Sequence, residues 1–246
     1  MKFDTSKPSH KNNLVKKTAD GIPGLSDIQN LDFTEDLLHH AFNSAETPLR
    51  SDAFELSDAE KIQIIRHHVQ EILYTLGLDL NDESLKDTPL RVAKMYVTET
   101  FKGLNPSHRP DTTLFTNQYQ YAQMLVEKDI TLYSTCEHHL VPIIGKAHVA
   151  YYSSGKVIGL SKLNRMVDYF ARRPQVQERL TIQIANALKE ALQTEDVAVM
   201  IEASHLCVAS RGIRDIQSGT ITSEYSGKFR NRDVRNEFLH YIKQHG

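Results

Sequence analysis

The chain contains two cysteines in 246 residues, and each has histidine beside it. One lies in Cys136-Glu137-His138-His139, the other in Ser204-His205-Leu206-Cys207. Thiolate and imidazole are preferred zinc ligands, at roughly 2.3 Å and 2.0–2.1 Å. Cys136 and His139 have C-x-x-H spacing, so one turn can supply two ligands, and Cys207 can supply a third from far along the chain. Three protein ligands leave a fourth tetrahedral position for water, the pattern of a catalytic site rather than a closed structural one. His138 and His205 are then spare imidazoles, one beside each ligand cluster, suited to proton transfer. The plainer alternatives are one disulfide, or buried thiols packed like small apolar groups. The adjacent histidines favour the metal.

A second group of residues suits an anion. Ser161-Lys162-Leu163-Asn164-Arg165 falls at an expected helix start, where Lys162, Arg165 and the Ser161 hydroxyl could meet phosphate. Arg211 and Arg214 could add charge; a solvated basic helix end is the ordinary alternative. The sequence holds no P-loop and no G-x-G-x-x-G, so a nucleotide would be held in another way. Gln177-Glu178 opens the next helix. A carboxylate there is often only dipole-stabilised, but a buried one could accept two N–H groups from a guanine edge. Arg91 and Lys94 share one helix face and, on spacing alone, read as solvated. His39-His40 and His67-His68 read as surface or filler.

The elements that must position these groups follow from pattern. Residues 1–50 are polar and broken by Pro8, Gly21, Pro23, Gly24 and Pro48, which reads as a flexible arm with a short helix near 35–42. Residues 51–118 read as a helical region. A capping box at Ser57 opens a helix that Gly77 ends, and Thr88-Pro89 opens another that runs to Gly103. Residues 119–246 read as an α+β catalytic domain. Strands are expected at 124–133 and 141–152 with the Cys136 cluster between them, and extended structure at 157–160. Ser161 should cap a helix with Leu163, Met166, Val167 and Phe170 inward, broken at Pro174. A helix at 175–193, strands at 197–207 and 218–225, and a terminal helix at 233–244 complete it. Strand alternation would put His205 and Cys207 on one side. The unit is a four-stranded antiparallel sheet with two helices on one face. It leaves two open edges and one bare face, and closure with neighbouring copies into a barrel would remove the edges.

Composition sets the class. Apolar content of 40% and charged content of 24% are ordinary for a globular protein. A formal net charge of −2 gives no general field for nucleic acid. Two cysteines fit a reducing compartment, and no signal core or membrane-spanning apolar run is evident, so the expectation is cytoplasmic, with no membrane partner.

Four ordered blocks resemble the GTP cyclohydrolase I family. They are Thr135 through His139; Gly159 through Arg165; Arg173-Pro174-Gln175-Val176-Gln177-Glu178-Arg179-Leu180; and His205-Leu206-Cys207-Val208 through Arg211-Gly212-Ile213-Arg214-Asp215. Thr88 through Tyr96 also fits, and the likeness runs from about Leu56 to the end. The resemblance implies a tunnelling fold whose subunits close a β-barrel in a ring, as a homodecamer of two pentameric rings with active sites at subunit interfaces. It implies hydrolysis of GTP to formate and 7,8-dihydroneopterin triphosphate, the entry to tetrahydrofolate or biopterin synthesis. It assigns Zn2+ to Cys136, His139 and Cys207, proton transfer to His138 and His205, and guanine recognition to Glu178 with Gln177. It assigns triphosphate or ribose contacts to Arg91, Lys94, Ser161, Lys162, Arg165 and Arg211. Three other readings compete. A nucleotide-binding sensor on the same scaffold would need neither spare histidine. A zinc deaminase would need the H-x-E…P-C-x-x-C arrangement, which is absent. A pterin or deazapurine enzyme using Cys207 as nucleophile would survive chelation.

Overall fold

The computed structural model describes residues 46–243. The expected helix near 35–42 and the His39-His40 pair lie outside the described residues.

Helix α1 (Asp58–Thr75) starts as its sequence requires. The Glu60 N–H donates to Ser57 Oγ at 3.3 Å and the Ser57 N–H to Glu60 Oε2 at 2.9 Å, a complete capping box. Gly77 follows at φ +86°, a conformation that ends the helix at low steric cost. No α1 residue is buried; Ile72, Tyr74 and Leu76 are exposed. Helix α2 (Thr88–Met95) has Pro89 in its first turn. It does not run to Gly103 as one α-helix. It passes into a π-turn at Tyr96–Thr100 and a 3-10 turn at Lys102–Leu104. The Thr98 hydroxyl donates to the Lys94 carbonyl at 2.9 Å, and β-branched Val97, Thr98 and Thr100 disfavour a regular helix. Gly103 joins this region to the core. Its N–H donates to the Arg172 carbonyl at 3.0 Å, and a Cβ there would collide with the Tyr169 carbonyl oxygen.

The main sheet has five strands, not four. Strands β2 (Leu125–Cys136), β3 (Pro142–Tyr151), β6 (Val197–His205) and β7 (Thr220–Tyr225) pair antiparallel in that spatial order. The addition is β5 (Pro174–Gln175), parallel to the end of β2 through Thr135↔Pro174 and Cys136↔Gln175. Proline lacks an N–H, so it ends the preceding helix and takes an edge position. That is why the next helix starts at Gln177 rather than Gln175. A second, two-stranded sheet pairs β1 (Leu114–Thr116) with β4 (Lys156–Ile158).

Helices α3 (Leu160–Ala171) and α4 (Gln177–Leu192) cover one face. Gly159, not Ser161, is the N-cap of α3, with no side-chain cap bond. The stripe Leu163, Met166, Val167 and Phe170 packs with Leu180, Ile184 and Leu188 of α4 against Ile130, Leu132, Ala147, Val149 and Ile201 of the sheet. The opposite face is bare only at one end. Helix α6 (Arg232–Lys243) buries Phe238 with Phe229, Met124, Ala150 and Ala198 at the other. Tyr133, Ile144 and Ile221 stay exposed at 49%, 41% and 62%.

That face also buries an imidazole. His148 Nδ1 accepts the N–H of Asp129 at 3.2 Å, and its Nε2 lies 3.2 Å from Glu202 Oε1. Asp129 has φ +57° at an irregularity in the β2–β3 register. Burial pushes the His148 pKa down, against the opposing pull of Glu202 and Asp129. The unfolded chain then takes the proton first, so stability falls as pH drops below about 6.5. His148→Gln keeps an acceptor for the Asp129 N–H. It should flatten the fall in urea midpoint between about pH 7 and about pH 5; an unchanged slope would remove His148 as its source.

Candidate active site

Both sulfurs sit at one end of the sheet. Cys136 is the last residue of β2 and buried; the turn Glu137-His138-His139-Leu140 leads to β3. Two backbone bonds close that turn, Leu140 N–H to Cys136 O and Cys136 N–H to Val141 O, both 2.9 Å. Leu140 takes φ +52° to make it. His138 and His139 project exposed, with their Nδ1 atoms 3.7 Å and 4.0 Å from Cys136 Sγ.

Cys207 arrives by a different route from the expected one. Strand β6 stops at His205, and a short helical turn, α5 (Leu206–Ala209), carries Cys207. The alternation that would align His205 with Cys207 therefore does not apply. The reason lies in the sheet. β2 and β6 flank β3 and run in the same direction, with Thr135↔Pro142 and Ile143↔His205 at one level. Two strand spacings separate them, about 9.5 Å. A straight continuation of β6 would leave Cys207 too far from Cys136 to share an ion. The turn bends it back over the start of β3. The ligand atoms of Cys136, His139 and Cys207 consequently lie within 4.8 Å of one another.

The donor set fits a soft or borderline metal. Both cysteines are free. Burial, with Cys136 beside it, pushes the Cys207 thiol up to about 11. A cation between the sulfurs would reverse that shift, since it favours the thiolate form.

His205 is oriented from behind. The Gln177 side-chain amide donates to the carbonyls of Ile201 at 3.1 Å and Thr220 at 3.0 Å, and to Thr222 Oγ1 at 3.1 Å. Those acceptors fix the amide, so its oxygen faces His205 Nε2 at 2.8 Å and that nitrogen donates. In the neutral ring, Nδ1 is left as the free base. Burial pushes the His205 pKa down, opposed by Glu178. Gln177 is 1% exposed with both amide atoms engaged, so its side chain is an internal strut rather than an open guanine contact. Glu178, beside it, is exposed rather than buried.

The anion-suited residues divide. Arg211 lies close enough to lower the Cys207 thiol somewhat. Arg91 and Lys94 are exposed on α2, with Arg91 3.8 Å from Asp87. Ser161, Lys162 and Arg165 occupy the first turns of α3, which starts at the opposite end of the sheet: Asn164 Nδ2 donates to Glu127 Oε1 at 3.2 Å. Glu127 and Cys136 are nine strand positions apart, roughly 25–30 Å at about 3.3 Å per residue. Within one chain, the α3 start does not reach the metal-suited turn.

Sequence reasoning missed the residues that hold the turn. Arg179, 4% exposed, pairs with Glu137, which lies between Cys136 and His139. A cation in the first turn of a helix opposes the macrodipole, and that was the available signal.

A family model described as GTP cyclohydrolase I matches residues 65–243. The chain belongs to the GTP cyclohydrolase I family. It is 60% identical over 217 residues to GTP cyclohydrolase 1 of Flavobacterium johnsoniae, covering 88% of this chain and 97% of that one. It is 53% identical to the Vibrio parahaemolyticus protein of that name over 199 residues, 80% and 91% of the two chains. The Citrobacter koseri protein is 49% identical over 212 residues, 85% and 96%. The Cys136, His139 and Cys207 cluster thus lies within the region matched to GTP cyclohydrolase I. No helix among the described residues is long and apolar enough to cross a membrane.

If the cluster binds metal, Cys136→Ser and Cys207→Ser should each remove it, because a neutral hydroxyl is a poor substitute for thiolate. Elemental analysis of purified protein reads the metal-to-chain ratio. A ratio equal to the parent chain's would rule out that cysteine as a ligand.

Proposed function

We propose that the chain is a zinc-dependent GTP cyclohydrolase I that opens the guanine imidazole ring of GTP, releases formate and yields 7,8-dihydroneopterin triphosphate. The observation that carries this is the convergence of Cys136, His139 and Cys207 ligand atoms within 4.8 Å, with His138 and His205 in the same two segments. Bound there, zinc would supply Lewis-acid activation of water for attack at C8 of guanine.

The chain's own residues supply the rest. His205 is held by Gln177 with its Nε2 proton engaged, so its Nδ1 is the nitrogen free to carry a proton to or from the purine. His138, exposed beside Cys136, is the second proton carrier. Glu178 would accept N–H groups of the guanine edge. Arg211, Ser161, Lys162, Arg165, Arg91 and Lys94 would hold triphosphate or ribose, which contributes binding and position rather than bond-making. Because the α3 start lies at the far end of the sheet from Cys136, a second copy would bring its Ser161-Lys162-Arg165 to this chain's metal turn. That supports a site shared between subunits of a ring, with a decamer of two pentamers as the assembly and cytoplasmic pterin or tetrahydrofolate synthesis as the setting.

Incubating the purified chain with GTP should give formate and a fluorescent pterin, lost on chelation and restored by zinc. GTP and zinc binding without either product would favour a nucleotide sensor. His205→Ala should keep metal and GTP binding while turnover falls by about 10²-fold or more. Near-normal turnover would remove its proton-transfer role.

A further inference from the structure

Cys136 ends β2, whose pairing with β3 and β5 sets its backbone, and His139 follows in a short turn whose internal bonds fix its shape but not how it leans from the strand end. Two further attachments set that lean. The Glu137 N–H donates to the Gln175 carbonyl at 3.0 Å, extending the β2–β5 pairing by one residue. The Glu137 carboxylate, between the two ligand positions, meets the Arg179 guanidinium from the first turn of α4. This pair is largely out of solvent, with side-chain exposures of 3% for Arg179 and 20% for Glu137. Arg179 is itself held: its Nε donates to Gln175 Oε1 at 3.0 Å. The Gln175 amide in turn donates to the Phe170 carbonyl at 3.0 Å and to Gln183 Oε1 at 2.9 Å. The guanidinium thus has a fixed place in the α3–α4 framework and grips the ligand turn from it.

We infer that Arg179 and Glu137 form a positioning pair that sets metal affinity, by holding the Cys136–His139 turn in the one placement from which both its ligands reach the ion shared with Cys207. This rests on the proposed metal reading and goes beyond it, since neither residue belongs to the Cys136, His139 and Cys207 cluster. A turn without the clamp can make all its internal bonds yet present His139 to one side of the Cys136 and Cys207 sulfurs. Partners that orient ligands in this way typically carry about 10–100-fold of metal affinity.

The test is zinc affinity, measured by competition with a chromogenic chelator on the full-length protein, beside the melting temperature of the metal-free form. Arg179→Met and Glu137→Met should each raise the zinc Kd by about 10–100-fold. The double variant should be no weaker than the worse single one, because the two act as one unit. Glu137→Gln, which keeps shape and an acceptor for the guanidinium, should fall between wild type and Glu137→Met. It also carries the test if the Arg179 variant does not fold. A merely structural role would lower the metal-free melting temperature and leave the zinc Kd of the folded protein alone. Unchanged or tighter zinc binding in the folded variants would overturn the inference, as would strictly additive losses in the double variant. A wild-type chain that takes up no zinc would instead defeat the metal reading beneath it.

Discussion

Two cysteine sulfurs brought together in a half-buried site set the constraint that the rest of this fold meets. Burial, with the Cys136 sulfur beside it, holds Cys207 far from its thiolate form without a cation. A metal ion would change the sign of that interaction and release protons in doing so. To share an ion as proposed, the sulfurs must be near one another and be kept there by something other than each other. β2 and β6 alone cannot do this, because β3 lies between them. The β2–β3 turn and the α5 turn close the gap from both sides.

Helix α4 supplies much of the support, and it does so through polar groups. Gln177 reaches His205 and the β6–β7 backbone, while Arg179 reaches the ligand turn. Buried amides and guanidinium groups are tolerable only when their donors and acceptors are met, and a satisfied polar network admits few alternative arrangements. An apolar helix start could give similar burial but would not discriminate between rotations of the helix. The polar start fixes its rotation and register against the sheet, which a positioning role demands more than stability does.

The chemistry was legible in the sequence because Cys136, His139 and Cys207 are rare residue types in short, dense motifs. The capping box at Ser57 and the apolar stripes of α3 and α4 were equally legible, since each is a local pattern with one structural meaning. What stayed hidden was non-local. Nothing near Pro174 in the sequence announces a two-residue strand, because its partner is the end of β2, almost forty residues earlier. The break in β6 before Cys207 runs against an alternating pattern and becomes necessary only once β3 is known to separate the sulfurs. Gln177 looked like a ligand contact for a similar reason: the acceptors that engage it, on Ile201, Thr220 and Thr222, come from strands later in the chain.

The distribution of charge along the sheet then bears on the proposed triphosphate contacts. Arg211 accompanies Cys207 at the Cys136 end of the sheet, whereas Ser161, Lys162 and Arg165 follow Gly159 to the other. A helix that packs along a strand cannot bring its start to the strand's far end without unpacking Leu163, Met166 and Val167, all at 0–1% exposure. Movement within one chain is thus an expensive way to unite the two groups. A second copy, placed so that its α3 start meets this chain's ligand turn, would unite them with no such loss. The open end of the sheet, with Tyr133, Ile144 and Ile221 exposed and one side of β7 unpaired among the described strands, leaves backbone and apolar surface for that contact. Distance and packing within one chain therefore support the shared site proposed above over a rearranged one.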